Sequence, residues 1–467
     1  MEMMHMDGDA AKRGMILFVV LLSSFVTPFM SSSVNIALPA IANEFGLNAV
    51  MLNWVATSFL LATAVFLLPV GRFADIYGRA KIFAAGMAVF SVATLVAGIS
   101  NSIAVLIIAR VVQGMGSAFI FSTGVAMLSM AYRPDVRGKV IGYSIAMVYI
   151  GLTAGPFLGG WLTQHYSWRM IFLATVPFSV AAFFLTIRIA SSEEVCIQKC
   201  AMDYTGSLAY ALGLFLAIYG FSRLPDNGYF PVFAGVCLLA VFILWERKSL
   251  NPLIDLRLLT RNRIFLFSNI AALINYSATF ATGFILSLYL QYIKGLSPEK
   301  AGLILVASPV VMAAIAPISG RLSDKINARI LSSLGMAVTA IGLSFFIFLT
   351  DKSDTLYVIG SLLILGAGLG VFSSPNTNAI MGSVETSAYG VASGMLATMR
   401  LTGQTVSMAV VMMIFAIVIG RVEITPLYYP GFMHAVHLCF ILNSVLCVAG
   451  VLVSLAGDKK TVHEQSR

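Results

Sequence analysis

The chain has 467 residues, 59% hydrophobic and only 10% charged, with a formal charge of +9 and a pI of about 9.3. A water-soluble domain carries about 25% charged residues, so a solvated globular surface is excluded, and apolar runs of about 18 or more residues call for lipid as solvent. The excess charge does not point to nucleic acid, because the basic residues sit in short loops between apolar runs and form no stripe interleaved with aromatics.

A bilayer core takes about 20 apolar residues per helix. In chain order such runs cover 14–39, 50–73, 80–100, 103–131, 138–163, 168–190, 205–222, 230–247, 264–292, 299–320, 330–350, 356–382, 389–419 and 431–456. Irregular backbone cannot face lipid, so each run is expected to be a helix, and the fold class is an all-α polytopic membrane protein with fourteen spanners. Placing the N-terminus in the cytoplasm puts 21 Lys and Arg residues inside and 6 outside, with Arg110 and Arg400 within spans. That asymmetry predicts cytoplasmic N- and C-termini and a multi-pass location in the cell membrane. Five cysteines, two of them (Cys196 and Cys200) close together in one polar loop, fit free thiols in a reducing compartment better than a metal site.

The chain looks duplicated. Gly71-Arg72 follows the second run and Gly320-Arg321 follows the tenth, 249 residues apart, and the first and ninth runs start 250 apart. The expected organisation is a cytoplasmic tail (1–13), a six-helix bundle (14–190), an inserted two-helix hairpin with flanking cytoplasmic loops (191–263), a second six-helix bundle (264–456) and a cytoplasmic tail (457–467). Repeats of this kind place a substrate site between the halves near the midplane.

Three groups of residues stand out. Gly71, Asp75, Gly78 and Arg79 after the second run, echoed by Gly320, Arg321 and Asp324 after the tenth, put an acid between basic residues at helix ends, as a cytoplasmic latch between halves requires. Gly151, Gly155 and Gly159 share one face of the fifth run, with Pro156 and Gly160 beside them; a face without Cβ atoms allows close helix contact. Arg110 and Gln113 are three apart on the fourth run, and a charge inside a span costs about 2.5–3.5 kcal/mol on insertion scales, so Arg110 should face a cavity or a partner. Polar stripes at Ser24, Thr27, Ser31 and Asn35, at Ser268, Asn275, Thr279 and Thr282, and at Ser373 to Asn378 around Pro375 can line a cavity or join helices. No Asp or Glu falls clearly mid-span, and no P-loop, zinc pattern or activated nucleophile is present, so no cofactor, metal or enzyme activity is expected.

On these residues the chain resembles the major facilitator superfamily, and within it the fourteen-spanner drug:proton antiporters. Gly71 to Lys81 resembles the family's loop 2–3 motif, and Arg110 to Gly116 the fourth-helix motif, whose Arg is linked to proton handling. Gly151 to Gly160 resembles the antiporter motif, Ser167-Trp168-Arg169 the entry to the sixth helix, and Gly390 to Gly394 with Arg400 the thirteenth. The resemblance implies two six-helix bundles plus two inserted helices. It also implies a monomeric secondary exporter of amphipathic small molecules or drugs driven by the proton motive force, with a metabolite importer of the same fold as the alternative. It assigns substrate or proton handling to Arg110, Gln113, Asn35, Ser31, Asn275 and Arg400. One departure matters: many relatives carry an acid before the Asn-x-Ala-Leu-Pro segment, whereas Met30-Ser31-Ser32-Ser33 precedes Asn35 here. A cavity with basic residues and no acid suits neutral or anionic substrates.

Overall fold

The structure, a computed structural model, describes residues 2–190, 202–249, 252–253, 262–385 and 389–456. Cys196, Cys200 and the terminal tail 457–467 lie outside the described residues. Among the described residues, fourteen helical segments are long and apolar enough to cross a bilayer, matching the number of hydropathy runs. In the first half these are α1 (Glu2–Phe45), α2 (Ala49–Tyr77), α3 (Arg79–Gly98), α4 (Ile103–Ala131), α5 (Pro134–His165) and α6 (Arg169–Ala190). The inserted pair is α7 (Tyr204–Arg223) and α8 (Tyr229–Glu246). In the second half, α9 (Arg263–Thr279) with α10 (Thr282–Leu288) and a π-helical turn (Tyr289–Ile293) make one span, and α11 (Pro298–Leu305) with α12 (Ala307–Ser323) make the next. Then come α13 (Ala328–Phe345), α14 (Thr355–Gly382), α15 (Tyr389–Val418) and α16 (Tyr429–Ala456).

Local chemistry starts several of these helices. The Asn48, Ser102, Asn262 and Ser297 side chains accept the backbone N–H of Met51, Val105, Phe265 and Lys300, satisfying donors that the first turn leaves open. Helix α1 runs upstream of its apolar stretch to Glu2, through a segment without proline that carries three Met and two Ala, good helix formers. Two spans that read as continuous are broken. Pro309 has no N–H to give the Leu305 carbonyl, and α11 ends at that residue. Between α9 and α10 the Ala281 N–H turns to the Ser407 hydroxyl (3.1 Å), a side chain of α15 replacing the helical acceptor.

Within the first half α1 packs on α5, α2 and α3 on α4, and α3 on α6; the second half repeats this with α9 on α15 and α16, α12 and α13 on α14, and α13 on α16. The halves meet through α2 against α15, α5 against α11 and α1 against α10. Hairpin α7–α8 lies outside both bundles, and α7 packs on α2 and α15 together. The Tyr210 hydroxyl of α7 donates to the Ala64 carbonyl of α2 (3.1 Å), fastening the hairpin to the first half.

One face is tied by charge. Arg169 forks onto Glu44 (2.8 and 2.6 Å), donates to the Ser100 carbonyl (2.8 Å) and stacks on Trp168, whose indole N–H also donates to Glu44 (2.7 Å). This bidentate group joins the ends of α1, α3 and α6.

Candidate functional site

A large cavity of ≈ 2120 Å³ lies between the halves. That is more than twice the upper end of typical small-ligand pockets, roughly 1,000 Å³. Its walls are aromatic and aliphatic, with Phe59 and Phe121 on one side and Phe265 and Phe280 on the other. Polar groups punctuate them: Ser24, Thr27 and Ser31 from α1, Tyr149 from α5, Thr279 from α9 and Ser373 from α14.

Among the described residues the cavity has its mouth at one face. Gly71, Arg72 and Asp75 from the end of α2, Arg79 from the start of α3, Arg247 and Lys248 after α8, and Tyr389 at the start of α15 line its mouth. At the opposite face the halves are sealed by backbone acceptors. Ser287 donates to the Asn35 carbonyl (2.8 Å), Gln291 to the Ile36 carbonyl (3.0 Å) and Asn53 to the Met408 carbonyl (3.3 Å), and the Ala49 N–H meets the Val422 carbonyl (3.0 Å).

The glycines of α5 divide into two sets. A Cβ added at Gly151 would stand 2.5 Å from the Phe25 carbonyl, and those at Gly155 and Gly159 would meet Ser32 and Ser33; all three partners lie on α1, inside the same half. Gly160 instead faces α11, where a Cβ would stand 2.5 Å from the Pro298 carbonyl. A Cβ on Gly302 of α11 would collide with the Pro156 carbonyl. The shared face expected from the 151/155/159 spacing is present, but it builds the first bundle; the seam between halves uses Gly160, the Pro156 carbonyl and Gly302. Spacing defines which glycines align and carries no information on which helix they meet.

Arg110 and Gln113 do come together, though away from the cavity. The Arg110 guanidinium is almost fully buried, donates from Nε to the Val55 carbonyl (3.1 Å) and from Nη1 to Gln113 Oε1 (2.5 Å), and covers the Phe59 ring at 4.3 Å. Gln113 passes its own N–H to the Thr94 hydroxyl (2.7 Å), which donates to the Phe90 carbonyl (2.6 Å). Among the described residues no carboxylate pairs with Arg110. The charge faces a partner, and of this network's side chains Phe59 is the one that lines the cavity.

Arg400 lies in the cavity wall itself, half-buried, its guanidinium 5.3 Å from the Tyr276 ring centroid. Opposite it the Tyr149 hydroxyl shares a 3.0 Å hydrogen bond with Ser373 across the two halves. Ser31 lines the cavity, whereas Asn35 sits beyond it in the seal. Asn275 is fully buried outside the cavity lining, with neither amide atom hydrogen-bonded; hydropathy shows no periodic contrast that would say which flank of α9 meets water.

At the mouth, Arg79 binds Asp75 through Nη2 (2.8 Å) and Nε (3.1 Å), an i,i+4 pair across the α2–α3 junction with its side chains 32% and 41% exposed. Gly78 makes that junction at φ 101°, a conformation that glycine adopts without steric cost. In the second half Gly320 packs on Ser374, and Asn378 donates to Ser323 (2.6 Å), while Arg321 and Asp324 are exposed and do not line the cavity.

Three residues were not singled out in the sequence: Tyr149, Tyr276 and Glu246. Tyr149 lies 251 residues before Arg400, close to the repeat offset, so the internal duplication held a signal for it. Tyr276 had none beyond its position on α9. Glu246, near the end of the 230–247 run, is 3% exposed and lines the cavity at the end of α8. It stands beside Asp203: a Cβ on Gly206 would be 2.8 Å from an oxygen of each. Asp203 accepts from the Trp245 indole (3.0 Å), from Ser249 (3.0 Å) and from the Gly206 N–H (2.8 Å).

A sequence model of the Major Facilitator Superfamily matches residues 20–195, 202–408 and 268–467. The riboflavin transporter RibZ of Clostridioides difficile is 31% identical over 83% of this chain and 85% of its own. The multidrug resistance protein Stp of Mycobacterium tuberculosis is 31% identical over 85% and 73%, and the cephamycin export protein CmcT of Amycolatopsis lactamdurans 30% identical over 85% and 84%. Among solved structures, a bacterial homolog of the human lysosomal transporter Spinster, inward-facing and unoccupied, superposes with a TM-score of 0.67 at 15% identity, covering 96% of this chain and 97% of that one. The human organic anion transporter MFSD10 superposes with a TM-score of 0.63 at 13% identity over 95% and 99%.

Proposed function

The chain belongs to the Major Facilitator Superfamily, and from that premise we propose that it exports amphipathic small molecules from the cytoplasm by alternating access, driven by the proton motive force. The observation that carries the reading is the central cavity, open at one face and sealed at the other by contacts between the halves. The Lys and Arg asymmetry supports assigning the open face to the cytoplasm, with both termini there and the protein in the cell membrane. The cavity then loads from inside, and rocking of the halves would break the seal and close the mouth. The drug-resistance and export relatives support the outward direction.

In this reading Asp75 and Arg79, with Gly71 and Gly78, form one jaw of the cytoplasmic latch, and Gly320, Arg321 and Asp324 form the other. In the present state Asp75 is paired with Arg79 of its own jaw. An exposed pair of this kind is worth about 0.2–1 kcal/mol. Asp75→Asn is therefore expected to move the thermal midpoint by no more than about 2 °C, since stabilities of that order correspond to small midpoint shifts in large domains. Transport should nevertheless fall several-fold, because the closed-mouth state loses its acid. Equal losses of stability and flux would remove the latch assignment.

Arg110 and Gln113 hold α2, α3 and α4 in register and touch the cavity through Phe59. Arg400 and Ser31 act in the cavity directly. In this reading proton uptake falls to Glu246, a buried carboxylate in the cavity wall next to Asp203.

The test is accumulation of cationic, neutral and anionic dyes and antibiotics in an efflux-deficient host, with and without a protonophore. Wild-type protein should lower accumulation of at least one compound, the protonophore should abolish the effect, and Glu246→Gln at matched expression should lack it. Increased accumulation would replace export with import. Lowered accumulation that the protonophore leaves intact would remove proton coupling.

A further inference from the structure

The cavity's charges are unbalanced in a way that points to its cargo. Its described lining holds five basic residues, Arg72, Arg79, Arg247, Lys248 and Arg400, against the acids Asp75 and Glu246. Four of the basic residues ring the mouth, and Asp75 is bound by Arg79. Only Arg400 stands deep in the chamber among the aromatic walls. Among the described residues no carboxylate pairs with it.

Its surroundings are those of a receptor for an anion. The guanidinium lies by the face of Tyr276, which holds the plane of the fork without consuming its N–H donors. The Tyr149–Ser373 pair brings two hydroxyls from opposite halves to the same wall, and Tyr149 lies within electrostatic reach of both Arg400 and Tyr276. Gln404, one turn along α15 from Arg400, adds a further donor to the lining. A planar anion placed on Arg400 would take two parallel charge-assisted hydrogen bonds, with a low-dielectric wall behind them and little water to compete. The phenyl rings of Phe59, Phe121, Phe265 and Phe280 offer apolar area to whatever the anion is attached to.

We infer that the substrates are amphipathic organic anions, an aromatic or aliphatic body bearing a carboxylate, sulfonate or phosphate that Arg400 holds against Tyr276, with Tyr149 and Ser373 beside it. The inference rests on the central cavity being the substrate chamber. It does not depend on direction or on coupling to protons, because binding needs neither. Tyr149 and Arg400 come from different halves, so an anion between them is held by both, and it couples occupancy to the relative position of the bundles.

The experiment is equilibrium binding to the full chain in nanodiscs, with signal from protein-free nanodiscs subtracted. Two dyes share a xanthene framework and differ in charge: fluorescein is anionic and rhodamine 123 cationic. Nile red serves as a neutral probe. Fluorescein should bind wild type at least tenfold more tightly than rhodamine 123. Arg400→Gln should weaken fluorescein at least tenfold while leaving Nile red within twofold, and Arg400→Lys, which keeps the charge and loses the fork, should fall between. Unchanged Nile red affinity in Arg400→Gln also shows that the chamber is intact. Fluorescein binding within twofold of wild type in Arg400→Gln, or tighter binding of rhodamine 123 than of fluorescein by wild type, would overturn the inference. Loss of all three probes together in Arg400→Gln, with an unchanged thermal midpoint, would overturn it too, since Arg400 would then shape the chamber rather than read charge. Failure of the export reading would appear instead in the cell assay, with fluorescein binding intact.

Discussion

Gly302→Val is expected to drive the protein out of the state described above, toward one open at the opposite face. The Gly302 position faces the Pro156 carbonyl and Gly160 faces the Pro298 carbonyl, so α5 and α11 touch backbone to backbone across the two halves. Main chain cannot swing aside as a flexible side chain would, and the added isopropyl group has to part the helices. Forced overpacking of this kind costs about 1–3 kcal/mol, a shift of roughly 5- to 150-fold in a two-state population. The cost falls on the sealed state alone, because the seam is absent once that face opens. Spin labels at Tyr166 and Lys352, exposed positions in the two halves, report the seam in a background lacking the native cysteines. Their distance distribution should move to longer values. Gly151→Ala provides the contrast: its Cβ meets the Phe25 carbonyl within one half, so it should lower the thermal midpoint and leave the label distance where it was. A folded Gly302→Val protein with an unchanged distance would show that this seam does not decide which face is open.

Much of the architecture was legible because lipid imposes a simple rule. A span must be apolar for about 20 residues and helical throughout, so α1 to α8 could be counted from composition alone. What the rule does not specify is which flank of a helix meets a cavity. In a soluble protein the polar flank marks water; here lipid and protein interior are equally apolar, and Asn275, Ser268 and Thr282 are buried between helices while Ser24, Thr27 and Ser31 face the chamber. The same ambiguity leaves Arg110, in the sequence, facing either a cavity or a partner. Its three-residue spacing from Gln113 gave the pairing correctly, because i,i+3 neighbours on a helix meet whatever surrounds them. The Val55 carbonyl, the Phe59 ring and Thr94 belong to other helices, and no local pattern names them. The breaks in the second half divide likewise. Pro309 announces one, but the turn at Phe280 and Ala281 depends on Ser407, more than 100 residues away in sequence.

Arg110→Ala is expected to cost more stability than any other single substitution discussed here. Two opposing terms decide the sign. Removing an unpaired buried cation recovers part of its desolvation penalty, which argues for tolerance. Against this, the guanidinium has two hydrogen bonds to oxygen acceptors and a ring face, and hydrogen bonds to charged groups are worth about 1.5–3 kcal/mol each. Truncation also leaves Gln113 Oε1 without its donor and opens a void among α2, α3 and α4, and large-to-small changes in packed cores cost about 2–5 kcal/mol. The second group outweighs the first, because alanine removes the charge without filling its place. Thermal unfolding in detergent should begin several degrees earlier, and the chamber should lose cargo binding as Phe59 loses its backing. Arg110→Lys separates geometry from charge. An ammonium retains the cation but cannot fork between the Val55 carbonyl and Gln113, so it should recover less than half of the lost midpoint. Thr94→Val, at the far end of the chain from Arg110 through Gln113, should give a smaller loss of about 1 kcal/mol. Full recovery by lysine would mean that charge alone matters at this position, and the network from α2 to α3 would then be a consequence of the fold rather than one of its supports.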